Sequence, residues 1–349
     1  MYQVDKEYQP PIIPPVPQPK GLKFFWGTWS GRFILINTVF FVILTLESGS
    51  LMDPGPESLI RWGAKENILI AQGEIWRLIT PIVLHVGFIH FAFNNWALYA
   101  LGYQIEHLLG KKWFVTLYIL AGFGGNIASS LFSINLSAGA SSSLFGLLGA
   151  GFYMERVVGE KLKQMFGKGN RQSMYSGMVI ANGILGFMIP QIDNAAHMGG
   201  LVCGVVFTYA LIRARPNRLV PLNIPRARAV VGALLLVMTV GGVLAASPTV
   251  LQQRLLFDVR SAEDPRLQFY LLSKILSLTP EDDGARLQRL ELSLKYGNYS
   301  TAKKDFFLLI RRPQNDSKIK RIETKLSEDG HREAVIKLRE FWSQVGPSL

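Results

Sequence analysis

Residues 195–212 read AAHMGGLVCGVVFTYALI. The eighteen residues hold no Asp, Glu, Lys or Arg. That is close to the roughly 20 apolar residues a helix needs to cross a bilayer. A helix apolar on all sides has no solvent face, so it belongs in a large core or in lipid. Six more stretches have the same character: 33–46 (short), 78–103, 113–132, 141–153, 174–192 and 229–246. Segment 141–153 is too short to cross alone and spans only if its start lies below the surface, sheltered by protein. The expected fold class is an all-α polytopic membrane protein. Composition agrees. Hydrophobic residues make up 49% of the 349 and charged residues 18%, against about 25% charged in a soluble domain. Mean hydropathy is +0.22. Disorder and an ordinary cytosolic enzyme are both excluded. The single cysteine, Cys203, rules out an intramolecular disulfide framework and a cysteine zinc site.

A net charge of +12 would suggest nucleic acid if the basic residues shared a soluble face. They do not. Lys20, Lys23 and Arg32 precede the first span, and Lys111 and Lys112 lie between the second and third. Arg156, Lys161, Lys163, Lys168 and Arg171 follow the fourth, and Arg213, Arg215, Arg218, Arg226 and Arg228 separate the sixth from the seventh. The first loop carries Glu47, Asp53, Glu57, Glu66 and Glu74 against Arg61, Lys65 and Arg77. Residues 134–140 have no charge. By the positive-inside rule the amino terminus is cytoplasmic, and seven crossings put the carboxy terminus outside. The basic charge is a topology signal, and no nucleic-acid partner is expected.

Residues 1–30 are expected as a proline-rich cytoplasmic tail, with six prolines between Pro10 and Pro19. No apolar h-region precedes them, so the arm is no signal peptide. It suits an extended spacer or docking strand. From residue 247 the pattern changes to charged, amphipathic helices. Leu267, Tyr270, Leu271, Ile275 and Leu278 recur at helical spacing up to Pro280. Segments 287–296 and 302–310 flank Gly297, and 319–326 and 334–341 flank Gly330. The glycines are 33 apart and Ala302 and Ala334 are 32 apart. This spacing resembles the tetratricopeptide repeat of about 34 residues, although the large aromatics of its first helix are missing. The expectation for 247–349 is a small extracytoplasmic helical domain, tetratricopeptide-like. It either holds a protein partner in its groove or is a plain helical domain with none.

Polar residues inside spans are costly and mark function by default. They are few: His85, His90, Asn94 and Asn95 in the second span, Ser141, Ser142 and Ser143 opening the fourth, and Asp193, Asn194 and His197 opening the sixth. His107, at the inner end of the second span, faces water. His90 and Asn94 are four apart and share one helix face, as do Ser141 and Phe145. The topology places His85, His90, Ser141 and His197 toward the outer side, where one hydrated pocket can hold them.

Three histidines raise zinc as a reading. Helical zinc sites often carry His-Glu-x-x-His, but His85 and His90 are five apart, turned by about 140°, with no acid beside either. No metal or cofactor is expected. A small-solute transporter rests only on the polar pocket, and no internal inverted repeat supports it. A serine near a histidine points elsewhere. Serine is a poor nucleophile until a base takes its proton, and the tetrahedral intermediate needs donors aimed at its oxyanion. Ser141 offers a backbone N–H that a helix start leaves free, His90 and Asn94 offer side-chain N–H groups, and His197 offers a base, with Phe145 placed to stack beneath it. A serine in an apolar span is ordinarily a packing residue. That holds for Ser142 and Ser143, and for Ser141 taken alone it stands beside the nucleophile reading. Gly146, Gly149 and Gly151 lie on the fourth span, and Gly199, Gly200 and Gly204 on the sixth. Gly200-x-x-x-Gly204 is a small-xxx-small face that lets backbones approach. The fifth span, with Gly177, Gly183 and Gly186, is expected to be loosely held.

Together these residues resemble the rhomboid family of intramembrane serine proteases. Gly139-Ala140-Ser141-Ser142-Ser143-Leu144-Phe145-Gly146 resembles the family's nucleophile motif, and Ala196-His197-Met198-Gly199-Gly200-Leu201-x-x-Gly204 its histidine motif. His85, His90 and Asn94 match the second-span spacing, and Trp76-Arg77 the first-loop element. Glu106 with Gly102 and Gly110, and Tyr118 with Gly125, Asn126 and Ser129, fit scaffold positions. The resemblance implies a six-span protease core over 31–215, then a basic loop and seventh span over 216–246, as in the six-plus-one subset. It implies Ser141 as nucleophile, His197 as base, and His90, Asn94 and the Ser141 amide as oxyanion hole. His85, Phe145, Gly139, Gly200, Gly204, Trp76 and Arg77 are supporting residues. It implies a fifth span acting as lateral gate, and transmembrane protein substrates cut near the outer surface of a bacterial plasma (inner) membrane. One departure is Ser142, where the family usually has glycine. It leaves a second reading, a silent rhomboid relative that binds membrane proteins.

Overall fold

Two units divide the chain, Met1–Ala246 and Ser247–Leu349. The computed structural model describes residues 20–166, 174–189, 192–211 and 224–345. The proline-rich arm, Lys168, Arg171, Arg213, Arg215, Arg218 and the expected boundary at 215–216 lie outside the described residues. Regular structure among the described residues is helical, with one isolated antiparallel bridge between Lys65 and Ser137.

The first unit opens with α1 (Leu22–Gly27) and α2 (Trp29–Ser48). The Thr28 hydroxyl accepts the N–H of Gly31 at 2.9 Å, capping α2 as hydroxyl side chains do. Phe24 is buried, edge-on to Tyr99. The tail expected to reach residue 30 therefore stops sooner. Residues 22–27 and 29–30 are helical, and Phe24, Thr28 and Ser30 are buried there, with apolar burial at Phe24 that a solvated arm lacks.

The first loop carries α3 (Gly55–Arg61), α4 (Asn67–Ala71) and two 3-10 turns, Ile75–Leu78 and Thr80–Val83. Next, α5 (Phe88–Ala97) runs through a π turn (Leu98–Gly102) into α6 (Tyr103–Leu109). The span expected over 78–103 thus begins as helix ten residues later, at Phe88. Pro81 cannot donate within a helix, and Gly87 sits at φ +152°. A Cβ on Gly87 would lie 2.0 Å from the Met52 carbonyl oxygen, so the first loop crosses the helix start only because that residue is glycine.

The unit is completed by α7 (Lys111–Phe132), α8 (Ser141–Phe166), α9 (Met174–Met188), α10 (Asn194–Leu211) and α11 (Ile224–Ala245). With 26 residues, α8 is about 39 Å long at 1.5 Å per residue. The apolar segment expected at 141–153 is the first half of this helix. Apolar character ends near Tyr153, but the helix continues through charged sequence. Four described helices are long and apolar enough to cross a membrane: Trp29–Ser48, Lys111–Phe132, Asn194–Leu211 and Arg228–Ala245. Burial within the unit is 61% for the apolar window of α7 and 11% for that of α11. That makes α7 the enclosed hub and α11 a peripheral helix, with Leu236, Val237, Val240 and Val243 exposed.

Small residues set how closely the hub packs. A Cβ on Gly200 would fall 2.1 Å from the Ser142 carbonyl oxygen, and one on Gly204 2.0 Å from that of Gly146. The α8 and α10 backbones are therefore in contact, the approach that small-xxx-small faces permit. Gly125 of α7 would bring a Cβ to 2.6 Å from both the Ala196 carbonyl oxygen and Ser142 Cβ. Away from the hub, buried Glu106 accepts the N–H groups of Trp29 and Ser30 and the Ser30 hydroxyl, each at 2.9 Å. It satisfies donors that a helix start leaves unpaired.

The second unit holds α12 (Pro248–Ser261), α13 (Pro265–Leu278), α14 (Asp283–Lys295), α15 (Tyr299–Leu309), α16 (Asp316–Glu328) and α17 (Arg332–Ser343). Gly297 and Gly330 turn the chain at φ +76° and +79°, the left-handed position glycine takes after a helix end. Leu290, Phe306, Ile319, Leu326, Leu338 and Phe341 share one buried cluster. Asp305 is fully buried and pairs with Arg289 at 2.7 Å and Arg286 at 3.3 Å.

Candidate active site

Ser141 is the first residue of α8, and His197 lies in the first turn of α10. A close helix contact lies next to them in both helices, where the Ser142 carbonyl meets Gly200. Phe145, one turn into α8, stacks on the His197 ring at 4.0 Å between centroids and 13° between planes. The imidazole is thus held by an aromatic face. Among the described residues no hydrogen bond joins Ser141 Oγ to that ring. Hydrogen bonds of this kind are often long in unliganded sites and tighten when substrate is seated.

Gly139 lies at φ +145° two residues before Ser141. A Cβ there would fall 2.5 Å from His90 Cε1, 2.9 Å from His90 Nε2 and 3.6 Å from Ser141 Oγ. The His90 ring and the Ser141 hydroxyl therefore converge over a glycine that has no side chain to separate them. His85, fully buried, places its ring 5.4 Å from that of His90. Asn94 is buried one turn below His90, and its Nδ2 donates to the His90 carbonyl at 2.7 Å. An amide has two N–H donors, so one remains to aim elsewhere.

Ser142 is buried. Its Cβ is directed at Gly125 of α7, which has no side chain to meet it. Trp76 and Arg77 lie in the first loop. The buried Arg77 guanidinium stacks 4.4 Å over Trp76, and Nη1 donates to the Ile60 and Ala64 carbonyls at 2.6 and 3.1 Å. Gly200 and Gly204 form the α8–α10 contact already described. Among the described residues, no three His, Cys, Asp or Glu side chains are grouped to hold a metal ion.

Several residues that position the site carry no signal of it in the sequence. Fully buried Lys65 exchanges backbone hydrogen bonds with Ser137 at 2.8 and 3.1 Å, and its ammonium donates to the Ser133 carbonyl at 3.1 Å. Asn67 donates to the carbonyls of Ser130 and Ser133, and Gly139 donates its N–H to the Pro81 carbonyl at 2.9 Å. The connection that delivers Ser141 is thus strapped to the first loop. In the sequence Lys65 is only one cation in an acidic loop, because a side chain that pairs with backbone carbonyls has no residue-type partner to reveal it.

Comparison with known proteins follows the same residues. A family profile described as the Rhomboid domain matches residues 72–214. "Rhomboid protease GluP" of Bacillus subtilis (strain 168) is 42% identical over 184 residues, which is 53% of this chain and 35% of that protein. "Rhomboid-like protease 1" of Toxoplasma gondii is 30% identical over 178 residues, 49% of this chain and 59% of that protein. YdcA, a rhomboid-named protein of Bacillus subtilis (strain 168), is 31% identical over 154 residues, 44% of this chain and 75% of that protein. The chain thus spans less than two thirds of the first two relatives' own lengths and three quarters of the third.

Proposed function

This chain belongs to the rhomboid family, and on that premise we propose that it is an intramembrane serine endopeptidase. Ser141 is the nucleophile and His197 the general base. Ser141 Oγ attacks the scissile carbonyl carbon as its proton passes to His197. The tetrahedral oxyanion is held by N–H groups of His90, Asn94 and the Ser141 backbone. The C–N bond then breaks, and His197 returns the proton to the leaving amine. Water repeats the sequence to release the acyl group and restore Ser141. The first unit contains the core, and substrates are transmembrane proteins cut near the extracytoplasmic surface. The amino terminus is cytoplasmic, the carboxy terminus extracytoplasmic and the host bilayer a bacterial plasma membrane. The second unit recruits a protein partner through its helical pairs.

The observation that carries this reading is the convergence of Ser141 Oγ and the His90 ring over Gly139. It is joined by His197, stacked on Phe145 of the nucleophile's own helix. A fluorophosphonate probe is expected to label the wild type and not Ser141→Ala, and equal labelling would end the assignment. A silent binding relative is the second reading, because Ser142 stands where the family usually has glycine. It is excluded if a transmembrane test substrate is cut by the wild type and left intact by His197→Ala.

A further inference from the structure

Asp193 immediately precedes α10, the helix that carries His197. The first four N–H groups of a helix have no intrahelical acceptor. Here those of Asn194 and Ala196 find one close by. The Asn194 N–H donates to the Ile192 carbonyl at 3.0 Å. The Ala196 N–H donates to Asp193 Oδ1 at 3.0 Å, and the His197 N–H to the Asp193 carbonyl at 3.1 Å. Asp193 thus caps α10 through both its side chain and its backbone, and its negative charge suits the positive end of the helix dipole.

The second carboxylate oxygen makes a different contact. Asp193 Oδ2 accepts the hydroxyl of Ser129, a fully buried residue on α7. A serine buried at the enclosed hub gives the carboxylate a fixed anchor. One turn earlier on the same helix, Gly125 packs against the Ala196 carbonyl. The helix that bears His197 is therefore pinned to the hub at its cap and pressed on it at its first turn. The glycine contacts bring the α8 and α10 backbones together but supply no directional polar partner. The hydrogen bond to the Ser129 hydroxyl adds a directional contact between α10 and α7.

We infer that Asp193 is a positioning residue for His197, acting through its cap of α10 and its tether to Ser129. It fixes the height and rotation of the imidazole against Phe145 and Ser141. This rests on the protease reading above. A misplacement of about 1 Å at a reacting group can cost about a hundredfold in rate, so release of the tether is expected in kcat rather than in substrate affinity.

The test uses the full chain in proteoliposomes with a transmembrane test substrate and a fluorophosphonate probe. Asp193→Ala is expected to lower kcat and the labelling rate by about tenfold or more, with KM within about twofold. Asp193→Asn keeps an oxygen for the Ala196 N–H and an N–H₂ for Ser129 Oγ, so it is expected to restore kcat to within about threefold of wild type. Ser129→Ala keeps the cap and loses the tether, and is expected to fall between them. Glu106→Ala removes a comparable set of helix-start contacts at α2 and serves as the control for general destabilisation. The proposal is overturned if Asp193→Ala loses no more kcat than Glu106→Ala, if Asp193→Asn gives no rescue, or if Ser129→Ala matches wild type. Should Asp193→Ala not accumulate, the Asn and Ser129 variants decide the question. Labelling that survives Ser141→Ala would instead sink the protease reading, a separate result.

Discussion

His197 must be neutral to take the Ser141 proton in the proposed reaction. kcat/KM is therefore expected to be flat at high pH and to fall about tenfold per pH unit once the imidazole is protonated. A rate–pH profile in proteoliposomes checks this, and a rate that rises as acid is added would contradict the base assignment. Gly139 offers a sharper test. Alanine there would have to adopt φ +145° and place a carbon 2.5 Å from His90 Cε1. Either the backbone or the imidazole must move, so Gly139→Ala is expected to cut fluorophosphonate labelling by about tenfold or more while the protein still accumulates. The residue types at this site were legible because charge and polarity are rare in spans. The face shared by Ser141 and Phe145 follows from helical spacing alone. That His90 shares a pocket with Ser141 was legible too, but the seating of its ring over Gly139 was not, because it depends on a glycine some fifty residues further along the chain.

Among the helices, α7 and α10 were legible from apolar runs bounded by polar sequence, since nothing inside those runs breaks a helix. The start of α5 was not. Residues 78–87 are as apolar as the helix that follows, and only Pro81 and Gly87 mark the break. The end of α8 was hidden for the opposite reason, because its last part is charged yet still helical. Helix contacts give a paired prediction. Gly200→Ala puts a carbon 2.1 Å from the Ser142 carbonyl oxygen, whereas Gly183 of α9 has no atom within 4 Å of an added Cβ. The first substitution is expected to cost about 1–3 kcal/mol through overpacking, and the second to stay within about 0.5 kcal/mol. Thermal unfolding in detergent measures both. Equal melting temperatures would mean that α8 and α10 are not in backbone contact.

Across the whole chain, the two units rest on different forces. The first relies on apolar helices and glycine contacts, and the second on a small core with a buried ion pair. Removing Asp305 would leave Arg286 and Arg289 without their buried counter-charge. Asp305→Ala is therefore expected to cost about 3–5 kcal/mol, read as faster proteolysis within residues 247–349. The expected helical pairs were legible there from Gly297 and Gly330, whereas the Arg–Asp cluster was not, because Asp305 lies 16 residues or more from either arginine. The π turn at Leu98–Gly102 limits the chain's tolerance of changes in length. A π turn holds one more residue than an α-helical turn, and each residue rotates a helix by about 100°. It lies between Asn94, near His90, and Glu106, which clasps the start of α2. Deleting one residue there would make a smoother helix with better local geometry. It would also swing Glu106 away from Ser30 or Asn94 away from His90, so a regular helix would be the defective one.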